Sequence, residues 1–277
     1  SNKIVEILDG IITNAKGGDG KASGGYGIRS DGDLKIEGGT IGSLTTDDNN
    51  NQIPDPTTGA LGGNAAEGEN GGHGIYSKGQ LFISDGANII NAKGGDSQKN
   101  GGDGIRSDGE LTIEGGEIKQ ATGGKATGES GTGGNGIRSG SVVKIWGGTI
   151  TKATGGNATG ENSTGGNGIG GSFVNVAGGT INTTGGSGKS GGAGVSTESG
   201  IVSIGNSDTP LDLTATSPDA DNAIRGRDGK KLDEIIHLEE NGKLGLVKLV
   251  ENGVTRLFHN GVYLSLIHIS EPTRLAL

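Results

Sequence analysis

The sequence predicts an all-β fold: a right-handed, single-stranded parallel β-helix of about seven coils with a C-terminal cap. Three observations predict this solenoid. Glycine accounts for 62 of the 277 residues, about three times its usual share. Hydrophobic residues make up only 29% of the chain, which is too little for one thick core but suits a narrow core shared along stacked coils. A glycine-rich motif also recurs about every 30 residues, a period typical of repeat architectures.

The repeated motif reads Gly-Ile-x-Ser-x-Gly-x-Leu-x-Ile-x-Gly-Gly-x-Ile-x-x-Ala and is followed by a glycine-rich loop. Apolar and polar residues alternate at period two in segments such as Leu111–Ile113, which is typical of strands. Glycine every few residues would destabilise a helix by roughly 1 kcal/mol per site relative to alanine. The first core position of each coil is occupied by Ile28, Ile75, Ile105, Ile137, Ile169, Val195 and Ile224. The third is occupied by Ile41, Ile89, Ile118, Ile150, Ile181 and Leu211, and the small residues after it are Ala92, Ala121, Ala153 and Thr184.

Such short strands are stable only when they stack. A strand of a few residues cannot bury its inner face alone, so each coil must hydrogen-bond to the coils above and below it. Glycine pairs such as Gly38-Gly39 supply the positive φ that sharp corners need. The serines two residues after the first core position are expected to face inward and to hydrogen-bond one another. They are Ser30, Ser77, Ser107 and Ser139.

Length variation is confined to one part of the repeat. The first and third core positions are separated by a nearly constant number of residues, whereas the segment from the third position to the next coil varies from 14 to 34 residues. We therefore expect the variable loops to leave the same corner of every coil and to line one edge. In solenoids such an edge often binds ligands, but merely tolerated insertions would give the same pattern.

The repeats cover residues 3–230 and begin within a coil. Residues 231–263 lose the glycine spacing, which predicts a terminal cap or the start of a following β-domain; a short amphipathic helix over 231–238 is an alternative. Residues 264–277 break the composition again. Because Leu264–Arg274 match a translated transposase-type sequencing adapter residue by residue, we expect this tail to be an artefact. The chain also lacks methionine, so we expect its native start to lie outside this sequence unless a first methionine was trimmed. Together with the adapter match, this predicts an open reading frame from shotgun or metagenomic DNA that is truncated at both ends.

Composition argues against several classes of partner. The formal net charge is −9, so nucleic acid and anionic membrane surfaces would be repelled. No apolar run approaches the roughly 20 residues that span a bilayer, so membrane insertion is not expected. The chain has no cysteine, which excludes disulfides, thiolate metal sites and a cysteine nucleophile. These features fit a monomeric solenoid that a bacterium secretes or displays on its surface.

One repeat carries a resemblance to a known family. Gly104–Gly116, with the sequence Gly-Ile-Arg-Ser-Asp-Gly-Glu-Leu-Thr-Ile-Glu-Gly-Gly, resembles repeats in surface proteins of gut Clostridia and their relatives. It is similar in particular to a β-helix family described as carbohydrate-binding domain-containing and related to a clostridial cellulose- and pectin-binding protein. The resemblance covers roughly residues 3–230. It implies a secreted, calcium-stabilised solenoid that binds a polysaccharide, such as a host or cell-wall glycan. No acidic cluster in this chain matches that family's calcium sites position by position.

Residues between the core positions face outward and form ladders along the solenoid, with neighbours about 4.8 Å apart. Trp146 is the only tryptophan. It is predicted to lie outside, beside Arg138 and Lys144, where its ring would stack on a sugar while the cations bond hydroxyls or uronate carboxylates. The predicted ligand-binding residues are Trp146, Arg138, Lys144, Arg106, Tyr76, Phe82 and Arg29. Alternatively, these side chains only cover the sheet and pair with Glu37 and Glu114 across coils.

The longest loop contains a candidate calcium site. It reads Asp47-Asp-Asn-Asn-Asn-Gln-Ile-Pro-Asp55, and closely spaced carboxylate and amide oxygens suit Ca²⁺, which takes six to eight oxygen ligands. The candidate metal ligands are Asp47, Asp48, Asn50 and Asp55. The alternative is a solvated acidic loop that binds no metal.

These observations favour a non-catalytic, extracellular polysaccharide-binding module. A structural stalk or adhesin repeat region of a cell-surface protein is the alternative. A polysaccharide lyase or hydrolase is the second alternative, because parallel β-helices include such enzymes. A glycosidase needs two carboxylates roughly 5–10 Å apart. Glu37 and Glu114 share a ladder, but Ser84 separates them and neither has an evident partner acid. We therefore assign no catalytic residue.

Overall fold

The computed structural model describes residues 3–67, 70–198, 202–205, 210–218, 223–226, 236–237, 247–259 and 262–267. These residues contain β-strands and no helix, hence none long and apolar enough to cross a membrane. Parallel strands stack on one another as a β-solenoid of about seven coils. The predicted all-β parallel solenoid is therefore confirmed, while its handedness stays a prediction.

Each coil contributes three or four short strands, and glycine or a corner residue ends each of them. In chain order the strands are β1 (Ile4–Ile7), β2 (Ile11–Ile12), β3 (Asn14–Lys16), β4 (Ile28–Ser30), β5 (Asp33–Ile36), β6 (Thr40–Ile41), β7 (Leu44–Thr46), β8 (Gln52–Pro54), β9 (Gly59–Leu61), β10 (Ile75–Ser77), β11 (Leu81–Ile83), β12 (Asn88–Ile89), β13 (Ala92–Lys93), β14 (Ile105–Ser107), β15 (Leu111–Ile113), β16 (Glu117–Ile118), β17 (Ala121–Thr122), β18 (Ile137–Ser139), β19 (Val142–Ile145), β20 (Thr149–Thr154), β21 (Ile169–Gly171), β22 (Phe173–Val176), β23 (Gly179–Thr184), β24 (Val195–Thr197), β25 (Val202–Ile204), β26 (Leu211–Thr216), β27 (Ile224–Arg225), β28 (Ile236–His237), β29 (Val247–Glu251), β30 (Val254–His259) and β31 (Val262–Ile267).

Three parallel sheets enclose the core. Sheet I has the order β4-β10-β14-β18-β21-β24-β27, and sheet II has the order β1-β5-β11-β15-β19-β22-β25-β28. Sheet III runs β2-β6-β12-β16-β20-β23-β26-β29 and continues into β30 and β31. A branch of this sheet has the order β3-β9-β13-β17 and joins it where β17 pairs with β20. The pairs β29–β30 and β30–β31 are antiparallel. Each sheet thus collects one strand from every coil.

The predicted core positions lie directly above one another. On sheet I, Ile75 pairs with Ile28 on one side and with Ile105 on the other. On sheet II, Leu81 stacks between Leu34 and Leu111. All of these side chains except Ile28, which belongs to an outer coil, are almost fully buried. The period-two pattern therefore identified the core correctly.

Two assignments at the end of the repeat were wrong. The residue that stacks on Ile181 is Leu213, whereas the predicted Leu211 pairs with Gly179 and adds an extra buried leucine. The small residue after the third core position, Ala153 in the preceding coil, is followed by Thr183 in the next one. The predicted Thr184 faces outward. The Thr184 error is caused by a register shift between β20 and β23, which moves the residues after Ile181 by one position.

The corner serines face inward as expected, but they do not bond one another. The Ser77 hydroxyl donates to the carbonyl oxygens of Gly32 and Gln80, both at 2.8 Å. Ser107 likewise donates to Gly79 O at 2.7 Å. Each of these carbonyls also accepts a main-chain N–H, so the hydroxyls add a second donor at the corner.

The glycine-rich segments between sheet III and the next strand of sheet I also stack. We call this stacked part the glycine fin; it comprises residues 17–26, 62–67, 70–73, 94–103, 123–135, 155–167 and 185–193. Each fin segment runs out and back, and both arms pair in parallel with the same arms of neighbouring coils. The predicted loop edge is therefore an ordered extension of the solenoid cross-section.

Hydrogen bonds between glycines join the two arms of the fin. Gly102 N donates to Gly95 O at 2.8 Å, Gly124 N to Gly102 O at 2.7 Å, and Gly134 N to Gly124 O at 2.9 Å. A Cβ on Gly134 would overlap the carbonyl oxygen of Gly102. Only glycine allows the backbones to approach so closely, which explains much of the glycine content.

The C-terminal part is described only in segments. Ile236–His237 form β28, so the alternative helix over 231–238 is wrong at these two residues. The remaining residues of 231–238 lie outside the described part. Residues 264–267 fall within β31, and residues 268–277 lie outside the described residues. The proposed boundaries at 231–263 and 264–277 stay predictions.

Candidate ligand-binding groove

A groove runs along the solenoid axis between the outward face of sheet I and the glycine fin. Its larger part encloses about 480 Å³ and extends from Ser23 to Arg138. A smaller part of about 220 Å³ continues to Arg225. The two parts share Thr132, Gly133, Asn135 and Arg138, so they form one continuous depression.

One wall of the groove is a ladder on sheet I. Its members pair in register from coil to coil, as the sequence predicted, because each lies between two inward-facing residues of its strand. The ladder consists of Arg29, Tyr76, Arg106, Arg138, Gly170, Ser196 and Arg225. Three of the seven predicted ligand-binding residues, Tyr76, Arg106 and Arg138, therefore line the groove, and Arg29 lies beside it on the same ladder.

The opposite wall belongs to the fin and is polar without charge. Its ladder consists of Ser23, Asn70, Asn100, Thr132, Thr164 and Ser190. The side-chain amide of Asn100 donates to Asn70 Oδ1 at 2.9 Å. Hydroxyl and amide groups can both donate and accept hydrogen bonds, so this wall suits a ligand rich in hydroxyl groups.

The floor is a ladder formed by the residue before each Gly-Ile or Gly-Val pair. The main-chain N–H of Asp103 donates to His73 Nδ1 at 2.8 Å, and that of Asn135 donates to Asp103 Oδ1 at 2.7 Å. Asn167 N donates to Asn135 Oδ1 at 3.0 Å, and Ala193 N to Asn167 Oδ1 at 2.9 Å. Our sequence reasoning missed this ladder. The recurrence of His, Asp, Asn and Asn at one repeat position was the available signal, since all four side chains can accept a hydrogen bond.

Three rings cluster at the first coils of the groove. The rings of Tyr26 and Tyr76 stack with centroids 4.8 Å apart, and His73 lies 5.4 Å and 5.5 Å from them. The guanidinium of Arg29 lies 5.0 Å from the Tyr26 centroid. The sequence analysis placed Tyr76 and Arg29 on this face but did not single out Tyr26 or His73, which lie outside the strands. Tyr76 is buried and the His73 side chain nearly so, whereas Tyr26 is half-buried and offers the cluster's accessible aromatic surface, of the kind that stacks on sugar rings.

Next to the rings lies a network of charged side chains. Arg106 donates to Asp103 at 3.3 Å and to Asp108 at 3.0 Å, and the Tyr76 hydroxyl donates to Asp108 at 2.6 Å. Burial alone would raise the pKa of Asp108, but the hydrogen bonds from Tyr76 and Arg106 outweigh it and lower that pKa. Burial, together with the bond to Asp108, raises the pKa of Tyr76 to about 12. Asp108 is thus held as a carboxylate by one polar and one positive donor.

His73 is neutral in this environment. Burial lowers its pKa below the ordinary value of 6.5, and the nearby Asp103 carboxylate offsets this only in part. Because Nδ1 accepts the Asp103 N–H, the ring proton lies on Nε2. The approach of Nδ1 to Asp103 Oδ2, at 3.7 Å, is therefore not an ion pair.

The remaining predicted ligand residues lie on another face. Phe82 and Lys144 belong to β11 and β19 of sheet II, and Trp146 follows β19 directly. Trp146 is half-buried where the sequence analysis expected exposure, and Lys144 is paired with Glu110 at 2.9 Å. The predicted grouping of Trp146 and Lys144 with Arg138 does not occur, since Arg138 lies on sheet I.

The candidate calcium residues lie in a hairpin that leaves the solenoid between β6 and β9. Strands β7 and β8 pair antiparallel, so the long segment is not a loop of the fin edge. The Asp47 carboxylate accepts bonds from the main chains of Asn49 and Asn51, and Asp55 accepts two from Thr57. These bonds lower the pKa of both aspartates. Within the described part of the chain, no three His, Asp or Glu side chains are grouped as a metal site.

Comparisons with protein-family models, curated proteins and solved structures find no match to this chain. The resemblance to clostridial carbohydrate-binding repeats therefore stays a prediction. Arguments about function depend on the groove itself.

Proposed function

We propose that this protein is a non-catalytic, extracellular module that binds an extended polysaccharide in the groove. One observation carries the proposal. The groove crosses successive coils and combines the ring cluster of Tyr26, His73 and Tyr76 with a long wall of hydroxyl and amide groups. Coils repeat at about 4.8 Å, so the groove offers similar groups at regular intervals along a line. A polymer of similar sugar units suits such a surface better than a compact small molecule does.

The chemistry of each wall supports a glycan. Tyrosine rings can cover the apolar face of a sugar while their hydroxyls stay hydrogen-bonded. Planar amide and guanidinium groups, as in Asn100 and Arg106, bond vicinal hydroxyls. Most charges in the groove already have partners: Arg29 bonds Asp31 at 2.6 Å, and Arg106 bonds two aspartates. The first half of the groove is therefore nearly balanced in charge and favours a neutral, hydroxyl-rich ligand.

The acid–base properties of the groove favour binding without turnover. A glycosidase needs one carboxyl group with a raised pKa to protonate the leaving oxygen. In the groove the pKa of Asp108 is lowered, and Asp103 accepts two hydrogen bonds from Asn135. A lyase needs a base to remove a proton, and a Tyr76 hydroxyl with a pKa of about 12 is a poor one near neutral pH.

A structural stalk is the second candidate, and the glycine fin favours it. Both arms of the fin hydrogen-bond to neighbouring coils, so each coil is held at its edge as well as around its core. Such a solenoid would be stiff enough to hold a partner domain away from a surface. A stalk, however, has no need for an aromatic cluster in a groove.

A glycan array with two matched variants tests the proposal. Tyr26→Ala removes a ring from the groove, whereas Trp146→Ala removes a ring from sheet II. We expect the protein to retain a polysaccharide, Tyr26→Ala to weaken binding by about tenfold, and Trp146→Ala to leave it unchanged. Circular dichroism confirms that both variants keep the fold.

Two results would contradict the proposal in different ways. Retention of no glycan by the folded protein would leave the stalk as the better explanation. Loss of binding in Trp146→Ala alone would move the site from the groove to the surface around Trp146.

A further inference from the structure

Two arginines in the same ladder of the groove have different surroundings. Arg106 and Arg138 both follow a core isoleucine and precede a buried corner serine, and they pair with each other across coils. Arg106 has two carboxylate partners, Asp103 three residues before it and Asp108 two residues after it. At the matching positions around Arg138 stand Asn135 and a glycine, both neutral.

Arg138 therefore carries a charge that its own coil does not balance. Among the described residues its one carboxylate neighbour is Glu198, at 4.0 Å. Glu198 also accepts a hydrogen bond from the Ser172 hydroxyl at 3.5 Å, and its side chain is 73% exposed, so its contact with Arg138 lies in solvent. A contact of that length between exposed groups contributes little. The groove thus has a surplus positive charge at Arg138.

Beside Arg138 the ladder contains a gap. The next member is Gly170, which has no side chain, and a Cβ placed there would meet nothing closer than Asn135 Oδ1 at 3.5 Å. Asn167 Nδ2 lies 3.7 Å from the same point. Because Asn167 Oδ1 accepts the N–H of Ala193, the amide NH₂ is turned toward the gap. In the described part of the chain no group accepts a hydrogen bond from it.

We infer that this gap, the Gly170 subsite, binds one anionic group carried by the polysaccharide, either a carboxylate or a sulfate ester. The inference rests on the proposed function and adds the ligand's charge to it. The Arg138 guanidinium and the Asn167 amide converge on the roughly 220 Å³ space that Gly170 leaves open. Charge-assisted bonds from a guanidinium to an oxyanion are short and strong, and a planar fork suits two anion oxygens. Arg225 and Glu198 border the same space, which is thus lined by two positive charges and one exposed carboxylate.

The polymer acting as ligand would then combine two kinds of unit. Units over the ring cluster are neutral, since the charges there are already paired. A unit at the Gly170 subsite is acidic. Arg106 does not offer a second such site, because the carboxylates of Asp103 and Asp108 already balance its charge.

The test uses one glucan backbone with different substituents: hydroxyethyl cellulose, carboxymethyl cellulose and cellulose sulfate. Isothermal calorimetry compares the wild type with Arg138→Gln, Gly170→Asp and Glu198→Gln. Two variants are controls, Lys35→Gln and Lys144→Gln, each of which removes a cation from sheet II. In parallel, NMR follows the Arg138 side-chain signal during titration with glucuronate and with inorganic sulfate.

We expect at least one charged polymer to bind about tenfold more tightly than the neutral one, an advantage that added salt reduces. Arg138→Gln and Gly170→Asp should remove that advantage, and Glu198→Gln should increase it. Both controls should keep it. Whichever small anion shifts the Arg138 signal identifies the group as carboxylate or sulfate.

The outcomes separate this inference from the proposed function. Equal binding of charged and neutral polymers, unaffected by Arg138→Gln, would overturn the anionic subsite while leaving the glycan groove intact. An Arg138 signal that shifts with glucuronate or sulfate, with no polymer bound, would support the subsite and count against the proposed function. An unmoved Arg138 signal together with no polymer binding would overturn both.

Discussion

The triangular core and the glycine fin of each coil are held together by opposite means. In the core, large apolar side chains such as Ile105 and Leu111 fill the space between the three sheets, and the backbones stay apart. In the fin there is almost no side-chain volume, and backbone lies against backbone with glycines such as Gly102 and Gly134 bonded through their amides.

This difference determines what each region tolerates. A core side chain that is shortened leaves a cavity, and its neighbours adjust by small rotamer changes. A fin glycine that gains a side chain meets carbonyl groups, which move only if the stacked coils separate. We therefore expect the fin to be the more sensitive region although it contains less apolar material.

The strongest test of this comparison is Gly134→Ala. The new Cβ would overlap Gly102 O, and the bonds that Gly134 makes with Gly124 and Gly156 would be lost. We expect the free energy of unfolding to fall by more than about 4 kcal/mol, the exceptional range for one substitution. Urea unfolding followed by circular dichroism measures it.

The matched control is Gly18→Ala, another fin glycine, which has open space around its Cα. It should be neutral or slightly stabilising, because alanine loses less chain entropy on folding. If Gly134→Ala and Gly18→Ala changed the free energy of unfolding equally little, the arms of the fin would not approach each other as closely as described.

The core counterpart is Ile113→Ala. Ile113 is 1% exposed and stacks between Ile83 and Ile145. Removing its side chain should cost about 2–5 kcal/mol through lost burial and a residual cavity. Ile11→Ala is the control, since Ile11 is 76% exposed on the outer coil and should change stability little. A larger loss in the free energy of unfolding for Ile113→Ala than for Gly134→Ala would show that the core, not the fin, is the more sensitive region.

The same contrast explains what the sequence could predict. Apolar periodicity reveals a core because side chains alternate in and out, and it placed Ile75 and Leu111 correctly. It failed at Thr184, since periodicity does not reveal the one-residue shift between β20 and β23. It failed at Leu211 because Leu211 and Leu213 both face inward in β26, so alternation alone does not say which of them continues the series. Glycine has no side chain and hence no in–out pattern, so the fin looked like a set of variable loops.

The candidate site was predictable in part for a related reason. The sheet I ladder with Arg106 and Arg138 follows from strand alternation, so the sequence placed it on one face. Tyr26 and His73 lie in the fin, where no periodicity indicates direction. Trp146 was grouped with Arg138 because alternation identifies outward residues without saying which sheet carries them.

A smaller effect is expected at the corners that connect the sheets. Ser107→Ala removes the hydroxyl that bonds Gly79 O and Glu110 O. Both carbonyls keep a main-chain donor, so we expect a loss of only about 1 kcal/mol in the urea experiment. Ser203→Ala, at an outward position of sheet II, should have no measurable effect. Equal losses in the two variants would show that the inward hydroxyl has no special role.

The smallest expected effect lies where fin and core meet, at His73, and it appears as a dependence on pH. Burial lowers the pKa of His73 below 6.5, with Asp103 and Asp108 raising it and Arg106 and Arg138 lowering it further. The neutral ring is thus favoured in the folded state. The contribution of the neutral His73 ring to the free energy of unfolding is fully present above pH 6.5, the pKa in the unfolded chain. It is lost as the pH falls through the lower pKa of the folded state.

Protonation has a specific structural cost at this junction. The proton must enter at Nδ1, which accepts the Asp103 N–H, so it breaks the first link of the floor ladder. We expect the urea midpoint to decrease as pH falls below 6.5, and the decrease to be smaller in His73→Asn. NMR titration of the ring should give a pKa below 6.5. A value above 6.5 would mean that Asp103 attracts the proton more strongly than burial opposes it, and the fin and core would then be joined here by an ion pair instead of a neutral hydrogen bond.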